Sequence, residues 1–435
     1  MADAYASWGR YPTLPQRAVA LAWRDQAFPQ VAGEVLPRGN GRSYGDSCLS
    51  DTGTLVDARG LDRLIAFDAT SGRLVCEAGV LLADVLDFAV PRGWFLPVTP
   101  GTLLVTVGGA IANDVHGKNH HRRGSFGDNV LSFELRRSDG RQIRCAPDAD
   151  ADLFRATIGG LGLTGLIVTA ELQLMPVEGA WLDVETIRFD DLGAFFALSA
   201  ESDETHEYTV AWIDCLAQGS GLGRGIFTRA NHARAGSGPA PKAPRGIPLT
   251  PPVSPINGLT LRAFNEFYYR LPRARRSLQH YRSHLYPLDA LLDWNRLYGP
   301  RGFLQHQCVV PVAPAPEAMR AILRAIAEAG AGSMLAVLKM FGNEPGRGLL
   351  SFARPGASLA LDFPFRGAPT LALLDRLDRI VMEAGGAIYP AKDARMSGET
   401  FRRGFPAWER LEATRDPKIM SAFWRRVTRG ARSGS

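Results

Sequence analysis

At 435 residues the chain is too long for one ordinary hydrophobic core, so two or three domains are expected. Hydrophobic residues make up 46% and charged residues 22%, the balance of a soluble globular protein, and no window approaches the ~18 consecutive apolar residues of a membrane-spanning helix. Of 50 basic and 44 acidic residues, eleven and one (Glu266) fall between Leu216 and His284, leaving 39 against 43 elsewhere, so one region is basic and the protein is not. Five scattered cysteines, odd in number and with no CxxC pair, argue against a disulfide framework or a zinc site and fit a reducing compartment. The opening MADAYASWGRYP lacks an apolar core, so no signal peptide is read and a cytoplasmic protein is expected.

In chain order, residues 14–27 read as a helix. EVLPRGNGRSYGDS (34–47) reads as a short strand at Val35 and Leu36 entering a turn with glycines at 39, 41 and 45, which suits a pyrophosphate cradle. It is not the Rossmann fingerprint, since the spacing differs and no amphipathic helix follows. LIAFD and LVCEAG form a hairpin within 62–79, LLADVLDFAV (81–90) a short helix ended by Pro91 and Gly93, and Pro97 to Thr102 a stiff loop. Thr106 to Val130 then packs five glycines, three histidines and a lysine together. Such glycines let a backbone approach a ligand closely and leave amide N–H groups for anions. Val107, Ala110, Ile111, Ala112 and Val115 thread the stretch, so it is read as partly buried, its polar groups paired by a large cofactor. A hairpin with an Asp-Gly turn (132–146), a helix (150–157), the loop GGLGLTG and the strand LIVTAELQL complete an α+β unit built to grip something long.

From 181 the pattern changes. EYTVAWIDC (207–215) is a strand, and the Gly/Pro/Ala-rich stretch through PPVSPINGL reads as mobile. Two helix–Gly–strand units follow, at 314–341 and 369–395, each with a lysine near its strand end, Lys339 and Lys392. They read as a pseudo-duplicated domain with helices on one sheet face. In FLQHQCVVP, Gln305 and Gln307 share a face; in SLALDFP, Ser358, Ala360 and Asp362 lie opposite Leu359, Leu361 and Phe363. Lys339, Lys392 and Tyr389 near the polar face favour a substrate chamber there.

RGNGRSYGD, TVGGAIANDVHGKNHHRRGSFGDNV, GGLGLTG, DWNRLYGPRGFLQHQ, LKMFG, LDFP and YPAKDAR together resemble flavoproteins of the vanillyl-alcohol oxidase type, and within them the decaprenylphosphoryl-ribose 2'-oxidase-like family. The resemblance implies an α+β fold of two domains: a PCMH-type FAD-binding domain (1–178) and a substrate domain (179–393) of antiparallel sheet covered by helices, carrying the mobile basic segment 216–284. Residues 394–435 would return to the FAD domain and end in a frayed tail from Arg429. Pro37, Arg38, Gly39, Asn40, Gly41, Arg42, Ser43, Tyr44, Gly45, Asp46 and Ser47 would hold FAD. So would Gly101, Thr106, Val107, Gly108, Gly109, Asn113, Asp114, Val115, His116, Ile167 and Tyr389. Arg42 stands where covalent relatives carry a flavin-linking histidine, which implies noncovalent FAD; no metal is implied.

The implied reaction is oxidation of the 2'-hydroxyl of a polyprenyl-phosphoryl ribose by hydride transfer to flavin. Lys392 would hold the reacting hydroxyl and assist its deprotonation, with His116 as second candidate. Lys118 and Lys339 would bind phosphate or sugar oxygens, and Gln305, Gln307, Ser358 and Trp212 would line the substrate. Mycobacterial members carry Cys, Asn and Ser where this chain has Ala360, Ser358 and Val210. A lipid-linked substrate also gives the segment 216–284 a reason, as a peripheral contact with the inner membrane face. A short-chain dehydrogenase partner that reduces the keto sugar is implied, and no nucleic acid. The rival reading is a sugar or D-arabinono-1,4-lactone oxidase with a soluble substrate.

Overall fold

A computed structural model describes residues 5–234, 236–238, 241 and 243–429. The end expected to fray after Arg429, and positions 235, 239, 240 and 242 of the Gly/Pro/Ala-rich stretch, lie outside the described residues.

The first part is α+β. Strand Thr54–Asp57 runs between Arg17–Ala20 and Val35–Arg38, parallel to both. A five-stranded antiparallel sheet follows, in the order Leu64–Asp68, Arg73–Glu77, Leu166–Gln173, Val130–Arg136, Gln142–Cys145. Helices Leu82–Ala89 and Ala151–Thr157 stand where the sequence puts them. Residues 14–27 do not form a helix. Arg17–Ala20 is a strand whose pairing delivers Leu21 into the core, where its N–H donates to the Asp57 carbonyl and its side chain is 3% exposed. Pairing with an existing strand outweighs the helix propensity of an alanine-rich run.

The second part is one eight-stranded antiparallel sheet, in the order Arg276–His280, Trp181–Phe189, Gly225–His232, Tyr208–Ile213, Val337–Phe341, Gly356–Pro364, Phe303–Val310, Ala387–Ile388. Helices Leu192–Ser202, Ala315–Ala329 and Ala368–Glu383 pack on it. Ala315–Ala329 shows why. Met319, Ile322, Leu323 and Ile326 repeat at helical spacing and are buried, and Gly330, at φ +61°, ends the helix in the left-handed region.

The duplication differs from the one expected. The repeated unit is strand–helix–strand–strand, once at 181–232 and again at 303–364, and the two second strands, Tyr208–Ile213 and Val337–Phe341, meet at the centre of the sheet. After Ala368–Glu383 only Ala387–Ile388 remains in strand. The basic segment is likewise no appendage. Its Gly225–His232 strand lies inside the sheet, Arg276–His280 forms an edge, and Gly258–Arg270 is a helix. Arg224 pairs with Asp214 and Glu266, Arg229 with Glu185 and Glu201, Arg275 with Glu185, Arg270 with Glu266 and Arg282 with Asp87. Much of its charge is therefore spent within the fold. No helix among the described residues is long and apolar enough to cross a membrane.

The chain's end folds back on its beginning. The Val35 N–H donates to the Lys418 carbonyl, the Met420 N–H donates to the Val35 carbonyl, and Ala422–Thr428 packs on the Asp46–Cys48 turn.

Candidate active site

One deep cleft separates the glycine loops from the large sheet. It encloses a cavity of about 320 Å³, within the roughly 300–1,000 Å³ of ligand and cofactor pockets. Its floor is the loop after Val35–Arg38. A Cβ on Gly39 would stand 2.2 Å from the Thr106 Oγ1, and Gly41, at φ +62°, turns the chain over the Arg38 guanidinium. Asn40 Nδ2 donates to the Leu104 carbonyl at 2.8 Å, joining this loop to the next. Thr106 caps the helix Val107–Ala112 by accepting from the Gly109 N–H. The amides expected to face an anion there are already used, since Val107 donates to Val80 and Gly108 to Ala78. Arg38 Nε, Arg42 Nε and Ser47 Oγ are buried on the cleft without a partner among the described residues. Buried polar groups demand partners. Two guanidinium donors and a hydroxyl along a glycine turn suit a diphosphate, so the residues present fit FAD.

The opposite wall comes from strand register. Gln305 pairs with Asp362, Gln307 with Ala360, and Lys339 with Ser358, so Gln305, Gln307, Lys339, Ser358 and Ala360 share the face towards the cleft. His306, Leu359, Leu361 and Phe363 point the other way and are buried. Lys392 and Tyr389 arrive from the turn after Ala387–Ile388; Tyr389 donates to the Asn113 carbonyl at 2.8 Å and stacks on Phe352.

His116 sits where the walls meet, 8% exposed, with Nδ1 2.9 Å from Lys339 Nζ and Nε2 2.8 Å from Gln307 Nε2. Burial, and then Lys339, hold it well below the usual histidine range, so it is neutral. When the Lys339 ammonium donates to Nδ1, the imidazole proton lies on Nε2, and the Gln307 amide turns its oxygen to receive it. Burial pushes Lys339 down to about 7 and Lys392 to about 8, the latter held up against burial by Asp362. Ordinary lysines titrate near 10.4. Unfolding therefore takes up protons above pH 7, and Asp362, pushed up by burial to about 7, opposes this only as its own titration finishes just above pH 7. FAD-free protein should gain on the order of 1 kcal/mol per lysine between pH 7 and pH 9. Urea denaturation at the two pH values measures this, and a flat or falling stability would contradict it.

Of the residues named from the sequence, Pro37 to Tyr44, Ser47, Gly101, Thr106, Gly108, Gly109, Asn113, Val115, His116, Ile167, Gln305, Gln307, Lys339, Ser358, Tyr389 and Lys392 line this cleft. Six do not. A Cβ on Gly45 would lie 1.9 Å from the Asp393 carbonyl oxygen, so it faces the C-terminal motif. Asp46 is held from behind by Arg426. Val107 is a core residue, 0% exposed. Asp114, fully buried, accepts from the Gly127 N–H and from Ser351. Lys118 Nζ donates to the His284 and Leu285 carbonyls at 2.6 and 2.9 Å, fastening the helix Tyr281–Leu285. Trp212 Nε1 donates to the Met334 carbonyl, and its ring meets Tyr268. The polar groups of Asp46, Asp114, Lys118 and Trp212 are thus engaged by protein partners.

The sequence reading also missed residues. Trp8 packs under the Arg42 guanidinium, 4.1 Å from its ring centroid, and Leu288, Asp289, Leu291, Leu292, Asp293 and Trp294 close one side of the mouth. Asp289 accepts from the Leu103 N–H at 2.7 Å, tying this side to the stiff loop. DWNRLYG was the available signal, though it names no chemistry by itself.

A model described as an FAD binding domain matches residues 19–146. Decaprenylphosphoryl-β-D-ribose oxidase of Mycolicibacterium smegmatis is 38% identical over 94% of this chain and 94% of its own. An uncharacterised protein of Streptomyces coelicolor is 35% identical over 78% of this chain and 96% of its own. A putative D-arabinono-1,4-lactone oxidase of Neurospora crassa is 29% identical over only 34% of this chain and 26% of its own.

Proposed function

The chain belongs to the FAD-dependent oxidoreductase family of decaprenylphosphoryl-β-D-ribose oxidase, and from that membership we propose that it oxidises the 2'-hydroxyl of a polyprenyl-phosphoryl ribose to the 2'-keto sugar, the first half of an epimerisation. The observation that carries this reading is the polar sheet face, with Lys392 and His116, set across the cleft from the FAD loops in a chain similar from end to end to that oxidase. Bound FAD would supply the hydride acceptor for the carbinol carbon. Lys392 in its amine form takes the hydroxyl proton, and Gln305, Gln307 and Ser358 orient the ring oxygens. Lys339 keeps His116 neutral, its Nε2 proton directed at Gln307, and so holds that wall of the chamber rigid. Arg38, Arg42 and Ser47 would hold the diphosphate of FAD. The division at 1–178, 179–393 and 394–435 fits these roles, with the second part covering the first. The product ketone needs a hydride donor to complete the epimerisation, which is the work of a short-chain dehydrogenase partner.

Comparing kcat/KM for a farnesyl-phosphoryl ribose with that for D-arabinono-1,4-lactone tests the substrate. The lipid-linked sugar should be preferred by at least about a hundredfold; a preference for the lactone would establish the rival oxidase instead. The rival's relatives match only part of the chain.

Membrane contact belongs to this reading and rests on apolar surface more than on charge. Of twelve exposed large apolar side chains among the described residues, eight lie within 249–292, including Leu249, Val253 and Leu259 at 76–79% exposure, and Leu291 and Leu292 also line the cleft mouth. Deleting 216–284 would remove two strands of the large sheet, so substitution is the cleaner test. L249E/V253E/L259E should lower the fraction pelleting with anionic liposomes at least about tenfold, since each buried side chain contributes roughly 1.5–3 kcal/mol. Equal pelleting would remove the contact from the proposal.

A further inference from the structure

The chain has only five lysines among its 50 basic residues, and three of them, Lys118, Lys339 and Lys392, are at or beside the active site. Arginine serves wherever a permanent charge suffices, so lysine marks places where a compact, titratable cation is used. Lys118 and Lys339 are engaged by carbonyls and by His116. Lys392 has a different setting. Its Nζ lies 3.6 Å over the Tyr44 ring, and Tyr44 is hydrogen-bonded to Gln305. Gln305 Nε2 in turn donates to Asp362 Oδ1 at 2.5 Å, across the strand pair. Asp362 is 1% exposed, its Oδ2 is buried without a partner, and it forms no ion pair among the described residues. It does not line the cleft.

We propose that Asp362 is the counter-charge of Lys392, a positioning residue that fixes Gln305 from the neighbouring strand and sets how readily Lys392 takes a proton from a hydroxyl in the cleft. A carboxylate enclosed with one hydrogen bond is costly unless a positive charge stands near. The groups facing it are Gln305, Tyr44, Tyr298 and Lys392, and only Lys392 is cationic. The groups facing Lys392 are Asp362, Tyr44, Lys339 and His116, and only Asp362 is anionic. Burial raises the one and lowers the other towards the same neutral range, while each favours the other's charged form. Gln305 links Asp362 to Tyr44, the ring beneath Lys392.

The proton-acceptor role rests on the proposed oxidation, whereas the pairing does not, and the test separates them. In FAD-loaded protein carrying ¹³C-labelled lysine, five Cε signals are expected, and the one missing from Lys392→Arg is that of Lys392. Its titration midpoint should fall by at least about one pH unit in Asp362→Asn, since an opposite charge nearby is worth ~1–3 units. An unchanged midpoint would overturn the proposal. Should Asp362→Asn fail to fold, ¹³C-carboxyl labelling of aspartate in Lys392→Met gives the reciprocal reading: the Asp362 midpoint must rise, and no rise overturns the pairing. The acid limb of kcat should move with the Lys392 midpoint. A midpoint that moves while the limb stays would uphold the pairing and overturn Lys392 as the proton acceptor.

Discussion

Lys392→Met is expected to lower kcat by a factor on the order of 10²–10⁴ while FAD remains bound, the loss typical of removing a positioned general base. Methionine has a similar length and no charge, so packing against Tyr44 is retained and the change isolates the amine. FAD retention follows from position: Lys392 sits on the sheet-side wall, whereas Arg38, Arg42 and Ser47, each with a buried polar atom that has no partner among the described residues, sit on the loop side. Single-turnover reduction of the flavin measures the step directly. A decrease of less than tenfold would mean that the proton leaves by another route, and His116 would be the next residue to test.

Arg426→Ala carries the largest expected cost in stability, ~3–5 kcal/mol, which is the penalty of leaving buried charge without its partner. Arg426 reaches Asp46 through two nitrogens at 2.8 and 2.9 Å and Asp393 at 2.9 Å; the two carboxylates are 4% and 2% exposed. Its removal leaves both beside each other and also loosens the Asp46–Cys48 turn, which includes Ser47. FAD affinity should therefore fall together with the denaturation midpoint. Lysine should not rescue it, because the pair with Asp46 uses the flat fork of a guanidinium. A cost below about 1 kcal/mol would show that solvent reaches this contact and does the arginine's work.

The parts of the fold legible in the sequence are those governed by local chemistry. The helix at 315–329 announces itself by apolar spacing and a terminal glycine, and the two faces of Phe303–Val310 and Gly356–Pro364 follow from alternation. Arg17–Ala20 was misread because its structure depends on a strand 37 residues further on. The strands Trp181–Phe189 and Gly225–His232 were missed because their alternation is interrupted: Glu185 lies buried, paired with Arg229 from the neighbouring strand. The same rule governs the site. The residues that line the cleft are set by their own loop or strand, whereas Asp46 and Asp114 are captured by groups 380 and 237 residues away. A glycine-rich motif shows that a backbone comes close to something, and only the fold shows whether that something is ligand or protein. Lys118 makes the point within HGKNHH itself, where one side chain turns away to cap a distant helix while His116 two residues earlier lines the cleft.

The central claim is that this cleft oxidises a lipid-linked ribose with FAD. The absorbance spectrum of the purified protein under anaerobic conditions, taken before and after adding farnesyl- or decaprenyl-phosphoryl ribose, tests it most directly. The flavin bands should be present and should bleach on addition. Bands that persist with the lipid-linked ribose, yet bleach with an aldonolactone or a free sugar, would contradict the substrate assignment.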